Sequence, residues 1–130
     1  MLIFDKPNLI TDLSSIIEDC VKKNDNLSHL LLASRDGLPM LSTAGETSLP
    51  EETLAVINAT SIYHGQMILE ELKCGNIKEL YVKAETGLLI FLPVGPDASL
   101  LGLTTENSDL RKILLEMRRA SKMIYEILTK

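Results

Sequence analysis

The chain has 130 residues, 45% of them hydrophobic and 24% charged, which suits one globular domain with a sizeable core. Its formal net charge of −5 argues against a general nucleic-acid binder, because phosphate binding wants a basic face. The two cysteines, Cys20 and Cys74, are far apart and outside any CxxC, so they read as reduced thiols of a cytoplasmic protein.

The opening residues, Met1 to Pro7, lack the basic n-region and long apolar core of a secretory signal. No apolar run approaches the roughly 20 residues of a membrane span. A cytoplasmic location without membrane insertion is expected.

From about Asn8 to Lys23, Leu9, Leu13, Ile16, Ile17 and Cys20 recur at steps of three and four, which predicts a helix with one buried stripe. Asn24-Asp25-Asn26 ends it, since these side chains compete for backbone hydrogen bonds. Ser28 to Ser42 then reads as strand, tight turn, strand. Leu30 to Ala33 has no polar alternation and should be covered on both faces. Asp36-Gly37 is a hairpin signal, and Leu38 to Leu41 is the second apolar run.

Ala44 to Ser48 is a loop. Ser48 as N-cap, Pro50 in the first turn and the carboxylates Glu51 and Glu52 start a long helix that should run to about Lys73, with Gly75-Asn76 as its stop. On a 100° wheel, Leu54, Ile57, Ser61, Gly65, Ile68, Leu69 and Leu72 form a broad stripe for the sheet. Val56, Tyr63 and Met67 form a second, narrower stripe on the far side, with Thr60 beside it. A helix covering one sheet needs only the first, so the second reads as an interface. Gly65, in mid-helix, predicts a close approach to the sheet.

Three strands follow. Ile77 to Glu85 alternates, with Leu80, Val82 and Ala84 on one side and Glu79, Tyr81 and Lys83 on the other. Leu88 to Val94 is apolar throughout, with Pro93 at its end. Ser99 to Thr104 is apolar again, and Gly102 either weakens it or admits a close neighbour. Asn107 or Ser108 caps a last helix, with Asp109 at its positive end. Leu110, Ile113, Leu114, Met117, Ser121, Ile124 and Leu128 are its core stripe. Arg111, Arg118 and Lys122 share one flank and Lys112 and Arg119 another. That basic face reads first as solvated and second as a surface for an acidic partner. No aromatic residue interleaves with it, which argues against nucleic acid.

The order is helix-strand-strand-helix-strand-strand-strand-helix. The three apolar strands belong in the middle of a five-stranded antiparallel sheet, with the second and third strands at its edges. Burial on both faces requires two helical layers, the terminal helices sharing one and the long middle helix forming the other. The fold class is α/β, a three-layer α-β-α sandwich, in a single domain spanning residues 1–130 with a core of about 8–128.

No catalytic, cofactor or metal motif stands out. Dinucleotide and P-loop fingerprints and a GxSxG elbow are absent from the sequence. His29 and His64 have no partner at ligand spacing. Glu51-Glu52 and Glu70-Glu71 diverge around their helix, so neither is an acid–base dyad. Arg35 sits at the hairpin corner, where most side chains are solvated. The protein is expected not to be an enzyme and to use no cofactor.

The chain resembles the Roadblock domains, a family named for a dynein light chain. The resemblance rests on LSHLLLASRDGLPMLS (Leu27–Ser42), the long helix ending LEELKCG (Leu69–Gly75), IKELYVKAETGLLIFLPVGPDASLLGL (Ile77–Leu103), NSDLRKILLEM (Asn107–Met117), and their order. It covers about residues 8–128. The middle helix departs from the Ala-rich form common in the family, carrying Tyr63, His64 and Met67 instead. The resemblance implies a homodimer, or a heterodimer with a related chain, in which middle helices pack antiparallel and third strands pair edge to edge. It also implies a non-enzymatic adaptor or regulator of a small Ras-like GTPase. The alternatives are a structural scaffold subunit of a motor or membrane-tethered complex, or a small-molecule sensor. The expected interface residues are Val56, Thr60, Tyr63, Met67, Glu79, Tyr81 and Lys83. Strand 77–85 has no Pro, so its free N–H and C=O groups are a template for pairing.

Overall fold

The computed structural model describes residues 7–43, 49–105 and 110–129. Its elements are α1 (Pro7–Lys22), β1 (Leu27–Ser34), β2 (Pro39–Ser42), α2 (Glu51–Glu71), β3 (Leu80–Lys83), β4 (Gly87–Val94), β5 (Ala98–Thr105) and α3 (Leu110–Leu128). The five strands form one sheet in the order β2-β1-β5-β4-β3, with every pair antiparallel. The three apolar strands are central, and the short and the alternating strand lie at the edges, as the hydrophobic pattern predicts.

The two faces carry separate cores. Leu30, Leu32, Ile90, Leu92 and Leu100 meet Leu13 and Ile17 of α1 and Ile113, Met117 and Ile124 of α3. Leu31, Ala33, Phe91 and Leu101, on the opposite face, meet Ala55 and Ile62 of α2. Each large side chain removed from water in these cores contributes about 1.5–3 kcal/mol. Gly102 lets α3 come close: a β-carbon there would stand 2.7 Å from Met117 Sδ. Among the described residues no helix is long and apolar enough to cross a membrane.

Local chemistry refines several boundaries. Asn24 closes α1 by donating from Nδ2 to the Cys20 carbonyl at 2.7 Å. At the hairpin, Gly37 N–H donates to the Ser34 carbonyl, and only Gly37 has a positive φ, +91°. Arg35 and Asp36 keep negative φ, so this is not the primed two-residue turn that Asp-Gly predicts. A left-handed glycine following an ordinary turn closes a longer loop instead. The β4 residue Pro93 lies two positions beyond Phe91, the last β4 residue paired with β3, where β4 has a neighbour on one side only among the described residues.

The N-cap of α2 is Pro50, with no side-chain cap bond. Ser48, expected in that role, lies outside the described residues, as do the rest of the Ala44–Ser48 loop and Asn107, Ser108 and Asp109 at the start of α3. The helix stops at Glu71 because Lys73 takes the left-handed conformation (φ 56°), two residues ahead of Gly75. β3 is shorter than the alternating run 77–85. Gln66 Oε1 accepts the Ile77 N–H at 2.8 Å, tying the approach to β3 onto α2 instead of into the ladder.

Candidate partner surfaces on the middle helix and the edge strand

The phase of α2 differs from the expected one. Its buried residues are Ala55, Asn58 and Ile62, with Leu54, Ile57 and Leu69 half-buried beside them. Ile68 and Leu72, placed in the sheet-facing stripe by their hydrophobicity, are 59% and 67% exposed. The axis of burial is rotated toward small and polar side chains. Asn58 sits at its centre, fully buried, donating to the Ser99 carbonyl at 3.4 Å while its Oδ1 has no partner. A helix with large apolar residues exposed on two flanks is one that expects cover on more than one side.

Two contacts orient the flanks of α2. A β-carbon on Gly37, in the β1–β2 hairpin, would lie 3.7 Å from Ala59 Cβ and 3.8 Å from Val56 Cγ2. A β-carbon on Gly65 would lie 2.9 Å from Ile77 Cδ1 and 3.9 Å from Leu80 Cδ2. The Val56 flank therefore looks toward β2, and the Gly65 flank toward β3. Gly65 does mark a close approach, but to the Ile77 side chain in the segment entering β3 and not to the sheet itself, whose Leu80 stays at ordinary contact distance. Helical phase puts Val56, Tyr63 and Met67, with Thr60, on the outer surface toward β2; all four are exposed. The exposed hairpin residue Leu38 belongs to the same side. Ile68 and Leu72 lie on the flank toward β3.

α2 rests mainly on β1, with lesser contact to β2, β5 and β4, and leaves β3 the least covered. The register places Leu80 opposite Phe91 and Val82 opposite Leu89, all on the α2 side. Val82 is 47% exposed there, and Leu80 and Leu89 are half-buried. With Ile68 and Leu72 these residues form an apolar strip bordering the open edge of β3. Hydropathy alone did not single out Ile68, Leu72 and Val82. The exposed apolar side of β3 could have been found by asking how far one helix can reach across five strands.

Glu79, Tyr81 and Lys83 lie on the opposite face of the sheet. Tyr81 pairs with Ile90 and Lys83 with Leu88, both directed to the α1/α3 layer. Arg118 of α3 donates to Glu79, and the Tyr81 hydroxyl also donates to Glu79 Oε1. The Arg118 hydrogen bond holds the Glu79 carboxyl below its usual range against the opposing effect of burial. The seven expected interface residues thus divide into four on the outer α2 surface and three behind the edge strand. The sheet separates the two groups.

Of the remaining chemistry-bearing groups, His29 is buried on β1, with its Nδ1 3.2 Å from Thr43 Oγ1. His64 is exposed beside Tyr63, their ring centroids 5.9 Å apart. Between α1 and α3 an open groove of about 220 Å³ is lined by Cys20, the acidic Asp19 and Glu116 and the basic Lys23 and Arg119. Burial, with Glu116 adding to it, pushes the Cys20 thiol up to about 11. Among the described residues no group of three His, Cys, Asp or Glu side chains could hold a metal ion.

No protein-family model and no curated protein sequence matches the chain. Solved structures do. MglB from Myxococcus xanthus superposes with a TM-score of 0.85 at 15% identity, over 92% of this chain and 96% of that one. A Roadblock/LC7 domain from Streptomyces avermitilis gives 0.83 at 18% identity, over 90% and 98%. An MglB with a tetrameric arrangement gives 0.84 at 20% identity, over 92% and 89%. At these identities the likeness is one of fold, and it agrees with the element order, the strand order and the two helical layers: this chain has the fold of the Roadblock/LC7 domains.

Proposed function

We propose that this protein is a dimeric, non-enzymatic adaptor or regulator of a small Ras-like GTPase, acting in the cytoplasm. One observation carries the reading. The sheet face under α2 is left bare toward β3, and Val82, Ile68 and Leu72 stand exposed along an edge that, among the described residues, has no strand beside it. A second copy turned through a two-fold axis brings its own α2 over that strip and its own β3 against that edge. Both leftovers are then used in one interface. The tetrameric arrangement of an MglB of the same fold supports self-association.

In such a dimer the outer α2 surface toward β2 stays free. Val56, Thr60, Tyr63 and Met67 offer an apolar platform of the kind that receives a folded partner. Regulation follows if that platform binds one nucleotide-dependent conformation of the GTPase better than the other. Glu79 and Tyr81 act in this scheme from behind, tying the edge strand to Arg118 of α3, and Lys83 stands exposed beside them.

The test combines solution mass with capture of GTPases. Wild type is expected to be a dimer that retains a small GTPase in one nucleotide state. Val82→Glu, at an exposed site, should give a folded monomer. Tyr63→Glu should stay dimeric and lose the GTPase. A monomeric wild type removes the dimer. Capture of partners without a GTPase fold, in either nucleotide state, turns the reading toward a scaffold subunit.

A further inference from the structure

We propose that the outer face of α3 is a docking site for a short acidic, amphipathic protein segment, which sets carboxylates over Arg111, Arg118 and Lys122 and an apolar side chain over Leu115. This surface lies on the α1/α3 side of the sheet and does not depend on the reading of α2.

The observation is a segregation of charge. α3 carries five basic and two acidic residues, a surplus of three positive charges, in a chain of net charge −5. The rest of the molecule therefore carries −8. The helix dipole does not account for the cations, since none lies in the last turn, where a positive charge would offset the carbonyl end. Arg111, Leu115, Arg118 and Lys122 follow one another at steps of four, three and four. They form a single exposed stripe opposite the buried Ile113, Met117, Ala120 and Ile124.

Internal pairing consumes part of the charge. Arg119 reaches Glu116 at 3.4 Å, and Arg118 holds Glu79 with two of its five donors. Among the described residues neither Arg111 nor Lys122 has an ion-pair partner. Leu115, 55% exposed, stands between them on the stripe. An apolar residue framed by cations favours a ligand that is itself amphipathic over a diffuse counter-ion cloud.

The dimensions choose the class of partner. From Arg111 to Lys122 the stripe measures about 16 Å, at 1.5 Å per residue. A long polyanion such as a nucleic acid would run off it onto a surface that carries the −8. A membrane surface wants an apolar helix face to insert, and that face of α3 is buried in the core. A helical segment of three to four turns, with Glu or Asp flanking one or two apolar side chains, matches the stripe in length, sign and pattern.

The probe is a fluorescently labelled, helix-forming peptide of about four turns with a Leu centre and Glu flanks. A second peptide has the same composition in scrambled order, and vesicles rich in phosphatidylserine serve as a third ligand. Anisotropy is read at low and at high salt. Wild type should bind the patterned peptide, more weakly as salt rises. Arg111→Glu with Lys122→Glu should weaken binding by about tenfold or more. Leu115→Ser should weaken it severalfold and leave the salt dependence unchanged. All three positions are exposed, and an unchanged melting temperature confirms that each variant folds. The proposal is overturned if the patterned peptide fails to bind at low salt, if the scrambled one binds as well, if the double variant binds like wild type, or if vesicles bind and the peptide does not.

Discussion

Arg118 of α3 grips Glu79, at the entry to β3, through two hydrogen bonds, Nη2 to Oε1 at 2.7 Å and Nε to Oε2 at 2.5 Å. The Tyr81 hydroxyl joins the same carboxylate. The open edge of the sheet is thus tied to a helix 39 residues further along the chain. The Glu79 carboxyl lies below its usual 4.5, first through the Arg118 hydrogen bond. A carboxyl depressed in the fold adds stability that is present above the unfolded value and is lost as pH falls through the folded one. Wild type should therefore lose part of its stability below about pH 4.5, and Glu79→Gln should show a shallower loss over the same range. At neutral pH, Glu79→Gln and Arg118→Ala should both speed amide exchange across 80–83, with only a small change in global stability because the pair is open to solvent on its Arg118 side.

His29 should give a second, separate pH response. Burial holds its imidazole below the ordinary 6.5, with Glu51 acting in the opposite direction, so the fold favours the neutral ring. The unfolded chain binds the proton more readily. Stability is then complete above about pH 6.5 and falls as pH drops below it. Chemical denaturation at pH 7.5 and at pH 5.5 should show the loss in wild type and not in His29→Gln. A wild type equally stable at both pH values would contradict the buried neutral histidine.

Neighbouring buried positions of α2 should respond unequally. Ile62 is in the core, and Ile62→Ala should cost about 2–5 kcal/mol. Asn58 is as deeply buried, yet its one hydrogen bond is long and its Oδ1 has no partner. Asn58→Ala removes an unmet polar atom and improves helix propensity, so it should cost less than about 1 kcal/mol. Urea denaturation of both variants measures the contrast. An Asn58→Ala cost as large as that of Ile62→Ala would show that the amide anchors α2.

Gly65 should tolerate one methyl group and no more. Alanine gains about 0.5–1 kcal/mol of helix propensity over glycine. Its β-carbon would press on Ile77 Cδ1, the movable end of a side chain. The two effects offset, and Gly65→Ala should change stability by less than about 1 kcal/mol. Gly65→Val adds two further carbons beside Ile77 and Leu80 and should cost about 1–3 kcal/mol.

The sheet was legible in the sequence because β1, β4 and β5 are apolar on both sides and β3 alternates. Two-sided burial is written residue by residue. The phase of α2 was not legible. Its buried centre is Ala55, Asn58 and Ile62, and two of these three carry no strong hydrophobic signal, while Ile68 and Leu72 carry one and face outward. Periodicity finds the buried side only where the exposed side is polar. The Glu79–Tyr81–Arg118 group was hidden for another reason: its members were each visible as ordinary charged or aromatic positions, and only the tertiary fold makes them neighbours. The shortening of β3 had the same origin, a side chain on α2 taking a backbone N–H that the strand pattern assigned to the ladder.

The two cysteines differ in a way that offers a handle. Cys20 is buried and its thiol is pushed up to about 11, so almost none of it is thiolate at neutral pH. Cys74 is exposed just past the end of α2, next in space to the flank that carries Leu72. A maleimide dye or spin label added to the native chain should therefore mark a single position without any mutagenesis. In the proposed dimer that position lies at the end of the helix where the two copies meet, so the distance between labels in solution tests that arrangement.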